Sequence, residues 1–383
     1  MSWNQEVPMA DSPVSRTLRS LADALNGRPP RTKIAFTALG SEFPVSMLLD
    51  AVTRVTDVVL PVIIGPQGLE GFPHYPADDL TTAHRTMEQL LASGDVSGAV
   101  TLHYNFPLGV TTVSQVHSVA TGRSMVLAGT TGCSDVRRPA AMVRNAVAGL
   151  AMADAMGIEN PTIGILNIDD APAASRLLER LSGAGFPLRF AVSSRGDGGV
   201  LMRGNDLIRA TPDVMVCDTL TGNLLIKLFS AGLSGGDMET LGRGYGIGLG
   251  PDHTSLIGII SRASGPATIA QALLFCARMA HNQLMAYWKQ RWQQARSCGI
   301  EQILHQEPSP QIVQAEQEVI RPAKTVLDDE IHGIDILRLG EACRYLWQHG
   351  IYAETGMGCT GPVLMINHQQ CAEAKAHLKS FLN

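Results

Sequence analysis

Aromatic residues are scarce in this sequence, 5% of 383 positions, and several familiar signals are missing altogether. No apolar run approaches the roughly 18–20 residues needed to span a bilayer. Basic residues form no block, and the formal net charge is −5, so nothing in the charge balance favours nucleic acid. Seven cysteines (Cys133, Cys217, Cys276, Cys298, Cys343, Cys359 and Cys371) are an odd number without a C-x-x-C pair. Neither a disulfide framework nor a thiolate zinc site is expected. The 11 histidines include no H-x-x-x-H pair, so no metal site is expected, and Walker A is absent. Glu6 and Asp11 fall where a signal peptide would be apolar. The expectation is a cytoplasmic protein with reduced thiols that binds neither membrane nor nucleic acid.

What is present is a composition suited to a large core: 45% apolar and 17% charged residues, with 38 glycines for tight turns. Ser12-Pro13 starts a predicted helix running to Leu25, followed by a Pro-rich linker. Short apolar runs then alternate with helical patterns. Strands are expected over 33–39, 58–65, 99–104, 124–130, 162–168, 188–194, 213–218 and 256–264. Helices are expected over 45–55, 81–92, 140–156, 172–181, 221–231 and 267–288. This alternation predicts an α/β fold with largely parallel, doubly covered sheets. The predicted divisions are 1–30 as helix and linker, 31–145 as a first α/β lobe completed by 267–300, and 146–266 as a second lobe. The polar stretch 290–324 reads as a connector. A C-terminal unit, 310–383, carries helices near 338–349 and 370–382 and a strand over 363–367.

Three segments have the composition of reactive sites. In Glu354-Thr-Gly-Met-Gly-Cys-Thr-Gly-Pro362, Gly356, Gly358, Thr360 and Gly361 surround Cys359 in a predicted turn. Glycine permits close backbone approach, so the neighbouring N–H groups can converge on an oxyanion while the thiolate forms a thioester. The alternative is a small buried residue in a tight turn, and Cys133 after Gly132 is a rival nucleophile. In Asp213–Asn223, an apolar strand leads through Asp218 into a helix beginning Thr221-Gly222-Asn223. That arrangement suits phosphate or carboxylate, or is an ordinary turn capped by Thr221. In Ile260–Pro266, Arg262 lies between Ser261 and Ser264 at a strand end, where parallel sheets bind ligands and a guanidinium suits phosphate. Its alternative is a surface arginine. Gly242–Gly250 lacks the G-x-G-x-x-G spacing and reads as a loop or lid. The G-x-S-x-G match at 232–236 follows a helix and is discounted.

The segments His103–Pro107, Ala141–Asn145, Arg203–Asp206, Asp218–Asn223, Ser261–Gly265 and Gly356–Gly361 resemble, in the same order, the α subunit of component C of glycine/sarcosine/betaine reductase complexes. The likeness runs from about Ser15 to Leu382. Asp213–Lys227 more distantly resembles the phosphate acyltransferases, and Ser261-Arg262 the phosphotransacetylases, from which the chain departs in having Thr268 where they carry an acidic base. The resemblance implies a two-lobed fold with an interlobe cleft, of phosphotransacetylase or isocitrate dehydrogenase-like type. It also implies acyl transfer through a thioester on Cys359 to inorganic phosphate, giving acyl or acetyl phosphate. Arg262, Ser261, Ser264, Asp218, Thr221, Gly222 and Asn223 are then the phosphate or acyl contacts, with His103, Asn105, Arg144 and Asn145 in the cleft. No tightly bound cofactor is implied; phosphate is a co-substrate. The implied partners are a ketosynthase-like second subunit and an acyl-donor protein or thioester, in an oligomeric assembly. Two rival readings remain: a phosphate acyltransferase acting directly on a carrier-protein or CoA thioester, and a non-catalytic scaffold subunit. No general base is assigned, although Glu354 and His368 lie near Cys359 in sequence.

Overall fold

In a computed structural model the chain is described over residues 31–69, 71–118, 120–194, 199–232, 234, 237–240, 246–305, 319–332, 334, 336–358 and 361–382. The helix and linker expected within 1–30 lie outside the described residues. Two compact units divide between His305 and Gln306.

The first unit comprises β1 (Thr32–Thr37), α1 (Val45–Thr53), β2 (Val59–Gly65), β3 (His74–Pro76), α2 (Leu80–Ser93), β4 (Gly98–Thr101), β5 (Val110–His117) and β6 (Ser124–Cys133). It continues through α3 (Arg138–Ala155), β7 (Thr162–Leu166), α4 (Ala171–Gly183), β8 (Arg189–Phe190), β9 (Leu201–Met202), α5 (Gly204–Arg209), β10 (Val214–Val216) and α6 (Thr219–Ala231). Last come β11 (Gly246–Leu249), β12 (Ile257–Ile259), α7 (Pro266–His281), α8 (Leu284–Ser297) and α9 (Ile300–His305). The strands form one 12-stranded sheet in the order β3-β2-β1-β4-β12-β11-β5-β6-β10-β7-β8, with β9 also paired to β7.

The α/β class follows from strands buried along their whole length, such as β4 and β10, which require cover on both faces. This single sheet has two parallel halves, and β6, from the segment 31–145, stands in the same half as β10 and β7. β3, β2, β1, β4 and β12 run one way. β6, β10, β7, β8 and β9 run parallel to one another. Between the halves, β11 and β5 are antiparallel to both of their neighbours. Three antiparallel steps separate β12 from β6, so the two halves point in opposite directions.

Several expectations change. The segment 256–264, expected in the second lobe, pairs β12 with β4 in the first half, because strand partnership depends on register between distant segments. β5 escapes the sequence reading: Thr111, Thr112, Ser114 and Gln115 look like loop residues yet are buried. Hydrogen bonds hold Thr112 and Gln115: the Thr112 and Thr130 hydroxyls are 2.6 Å apart, and the Arg278 guanidinium donates to Gln115 Oε1 at 2.6 Å. The glycine run ending at Gly250 is no lid where it is described. Residues 246–249 form a buried strand, and a Cβ on Gly246 would lie 2.1 Å from the Val113 carbonyl oxygen. The helix expected over 267–288 breaks at Gln283, whose φ is +56°. Residues 290–297 continue α8 instead of starting a connector. Trp288, Trp292 and Ala295 recur at helical spacing and are buried, a stripe hidden by the polar residues between them.

α3 is buried nearly all round by alanines and other small residues, which lets it lie at the centre of the unit. Among the described residues no helix is long and apolar enough to cross a membrane.

The second unit contains β13 (Asp329–Ile331), α10 (Ile336–Gln348), β14 (Ala353–Gly358), β15 (Gly361–Ile366) and α11 (Cys371–Leu382). The antiparallel sheet β13-β15-β14 packs with both helices around Ala342, Leu346, Leu364, Ile366 and Leu378.

Candidate functional site

β12 ends beside the carboxyl ends of β1 and β4, and the chain turns there into α7. Ser261, Arg262 and Ser264 occupy that turn. Gly265 is the N-cap of α7 and Pro266 its first residue. Proline suits this place because its missing N–H would have no helical partner. The first-turn amides and the aligned peptide dipoles make the end of α7 favourable for an anion. Arg262 is exposed, and its Nε donates to the Gly40 carbonyl at 2.6 Å. Its own carbonyl accepts from the Glu42 amide at 3.0 Å. The guanidinium is thereby tethered to the β1–α1 loop, and Gly40 adopts φ +86° to present that carbonyl.

Sequence reasoning missed Glu239, which stands behind this turn. It is 6% exposed. Its amide donates to the Ala263 carbonyl at 3.0 Å and its carbonyl accepts from the Gly265 amide at 2.9 Å. The Thr268 hydroxyl also donates to that carbonyl, at 2.9 Å. Its carboxylate accepts from the Ser264 hydroxyl at 3.3 Å and from the Ser261 hydroxyl. Burial pushes the Glu239 pKa above the usual carboxylate range, against the two serines and the Lys227 charge; Glu42 adds to the rise. A glutamate 22 residues before Ser261, after a helix and a glycine-rich stretch, offers no sequence signal of this pairing.

The Asp218–Asn223 segment has a different character. Asp218, not Thr221, is the N-cap of α6: its carboxylate accepts from the amides of Leu220 and Thr221 at 2.9 and 3.0 Å. The Thr221 hydroxyl donates to the same carboxylate at 2.8 Å. A negative group already occupies these amides and opposes a second anion. Gly222 faces the sheet, where a Cβ would stand 1.9 Å from the Gly129 carbonyl oxygen. Its glycine is a packing requirement. Because β10 and β12 point in opposite directions, this turn and the Arg262 turn occupy opposite edges of the sheet. α6 runs between those edges, with Thr240 bonded to the Ser230 carbonyl near its far end. The structure does not unite the two segments in one anion site.

The residues expected in the cleft also separate. His103 follows β4; its ring stacks on His84 with centroids 6.1 Å apart. Its Nδ1 is buried without a hydrogen-bond partner among the described residues. Asn105 is exposed in the following loop. Arg144 pairs with Glu301 at 2.9 Å and Asp135 at 3.4 Å, and lies over the Trp292 ring. Asn145 is wholly buried, accepts from Ser134 Oγ at 2.8 Å and donates to the Cys217 carbonyl at 2.9 Å. Arg144 and Asn145 thus fasten α3 to its surroundings.

In the second unit Cys359 and Thr360 lie outside the described residues. On either side of them the glycines are strand residues: Gly356 pairs with Val363, and Gly358 with Gly361. Glu354 engages Arg321 and the Tyr352 hydroxyl. His368 Nδ1 is 3.0 Å from Asp329 Oδ2. The rival Cys133 is exposed at the end of β6 and donates to the Asp135 carbonyl at 3.3 Å. Among the described residues no group of three or more His, Cys, Asp or Glu residues could hold a metal ion.

The model of a family described as "Fatty acid synthesis protein" matches residues 32–365. The glycine/sarcosine/betaine reductase complex component C subunit alpha of Peptoclostridium acidaminophilum is 42% identical over 375 residues, covering 96% of this chain and 97% of that one. The chain belongs to this component C α-subunit family. Phosphate acyltransferases are more distant relatives of this component C α-type chain. The one from Thermus thermophilus is 35% identical over 108 residues, 28% of this chain and 31% of its own. The one from Methylocella silvestris is 32% identical over 158 residues, 39% and 38% of the two chains. A branched-chain phosphotransacylase structure from Enterococcus faecalis V583 overlays with a TM-score of 0.44 and 14% identity, over 65% of this chain and 99% of that one.

Proposed function

We propose that this chain is an acyltransferase subunit of a multi-subunit complex. Cys359 takes an acyl group as a thioester, and inorganic phosphate removes it as acyl phosphate. A covalent thioester divides one difficult transfer into two easier ones. The observation that carries the reading is the 42% identity, over nearly the whole chain, to a subunit whose name places it in a reductase complex. The phosphate acyltransferase relatives support the acyl and phosphate chemistry. The tethered guanidinium of Arg262 beside the start of α7 supports phosphate binding there, since charge and directed N–H groups both suit a dianion. The partners are a ketosynthase-like subunit and an acyl-donor protein or thioester. No tightly bound cofactor is required.

The full chain, incubated with an activated acyl thioester and followed by intact mass and peptide mapping, tests this function. An acyl adduct on Cys359 that inorganic phosphate discharges supports it. Labelling of Cys133 with Cys359 unmodified, or an adduct indifferent to phosphate, overturns it.

A further inference from the structure

Two carboxylates of the first unit are buried among hydroxyl groups, and their surroundings differ in a telling way. Asp206 accepts from two backbone amides, of Ser194 and Arg203, as well as from hydroxyls. Although burial alone would raise its pKa, these bonds together hold it well below the ordinary range. It is a fixed charge that binds the loop before α5. Among the described residues, the Glu239 carboxylate has the hydroxyls of Ser261 and Ser264 as its hydrogen-bond partners. A carboxylate held only by hydroxyls can exchange protons through them, whereas one held by amides cannot.

We infer that Glu239 is a positioning residue that carries away the proton of the attacking phosphate through the Ser261 hydroxyl. The inference rests on the phosphate site proposed above. Ser261 immediately precedes Arg262 and is 8% exposed, whereas Ser264 is fully buried. Ser261 is therefore the member of the pair that can reach a ligand, and Ser264 steadies the carboxylate from behind. Ser261 Oγ accepts from the Ala263 amide at 3.1 Å, which leaves its proton to Glu239 and a second lone pair for the ligand.

The chemistry balances. An oxygen of HPO₄²⁻ attacks the thioester carbonyl carbon, the C–O bond forms, and the C–S bond breaks with its electron pair on sulfur. The remaining P–OH proton passes to Ser261 Oγ as Ser261 passes its own to the Glu239 carboxylate. The thiolate takes a proton from water, and Glu239 returns its proton to solvent by the same hydroxyl. The net change is one proton moved from phosphate to sulfur. The charged groups that bear on Glu239 are Lys227 from α6, which favours its ionised form, and Glu42 from the β1–α1 loop, which opposes it.

The test is acyl phosphate formation by the full chain as a function of inorganic phosphate concentration and pH. The parent rate should fall at low pH as Glu239 becomes protonated. Glu239→Gln keeps the shape and hydrogen-bonding capacity but not the proton exchange. It should lower kcat by about 10²-fold, the lower range for general acid–base assistance. With rates expressed per HPO₄²⁻, so that the titration of phosphate itself is divided out, KM should stay near the parent value and the acidic limb should vanish, while Glu239→Asp should recover part of the rate together with that limb. Parent kcat and an unchanged limb in Glu239→Gln overturn the inference and leave the phosphate site standing. A parent chain that forms no acyl phosphate overturns both. If Glu239→Gln does not fold, Ser261→Ala decides: loss of the acidic limb with a slowed kcat supports the relay, and a parent-like profile overturns it.

Discussion

Gly222 lies against the carbonyl oxygen of Gly129, so close that a Cβ at position 222 would stand 1.9 Å from that oxygen. This contact seats the first turn of α6 on β6, and it explains a glycine in the middle of an Asp-Thr-Leu-Thr-Gly-Asn run without any ligand. Alanine is ordinarily better than glycine in a helix by up to about 1 kcal/mol. Here the collision dominates, and Gly222→Ala should destabilise the first unit by about 3 kcal/mol, the upper end for overpacking. Urea unfolding measures it. An unchanged midpoint would mean that α6 can slide outward freely.

Asp218 should matter for stability and not for phosphate. Removing this N-cap with Asp218→Ala should cost about 1 kcal/mol and leave phosphate-dependent acyl transfer at the parent rate. A loss of transfer as large as that of an Arg262 variant, in a folded protein, would place phosphate at the start of α6 after all.

Arg262 should serve the second half-reaction. Charge-assisted hydrogen bonds contribute about 1.5–3 kcal/mol each, so Arg262→Ala should slow phosphate discharge by about 10²-fold while acylation of Cys359 proceeds. Arg262→Lys should rescue poorly, because a point charge cannot keep the Gly40 tether and a two-pronged grip at once. Rapid-quench mass measurements follow the acylated and free species. Equal discharge by parent and alanine variant would remove Arg262 from the phosphate site.

Asp206 provides a pH test of stability. Its pKa is depressed in the folded state, so its contribution is present above the ordinary carboxylate pKa of about 4 and is lost as pH falls towards the folded value. Asp206→Asn should therefore unfold more easily than the parent at pH 7, by about 2 kcal/mol given its several charge-assisted bonds. The gap should narrow progressively as pH falls below about 4. Melting curves at the two pH values suffice; a gap that widens in acid contradicts the assignment.

The sequence by itself determined the alternation of strands and helices, since periodicity and turn residues act within a few positions. It marked Arg262 at a strand end, the Asp218 turn and the apolar strand around Val363 for the same local reason. It could not reveal β5, whose Thr112 and Gln115 side chains find their hydrogen-bond partners on β6 and α7. Nor could it place β12 beside β4, or show that the Asp218 and Arg262 turns end at opposite edges, because strand direction is set by pairing between distant segments. Glu239 was invisible for that same reason. Its meeting with Ser261 and Ser264 exists only once α6 has returned the chain to the carboxyl end of β12, so the tertiary structure alone turned an unremarked glutamate into a neighbour of the candidate phosphate site.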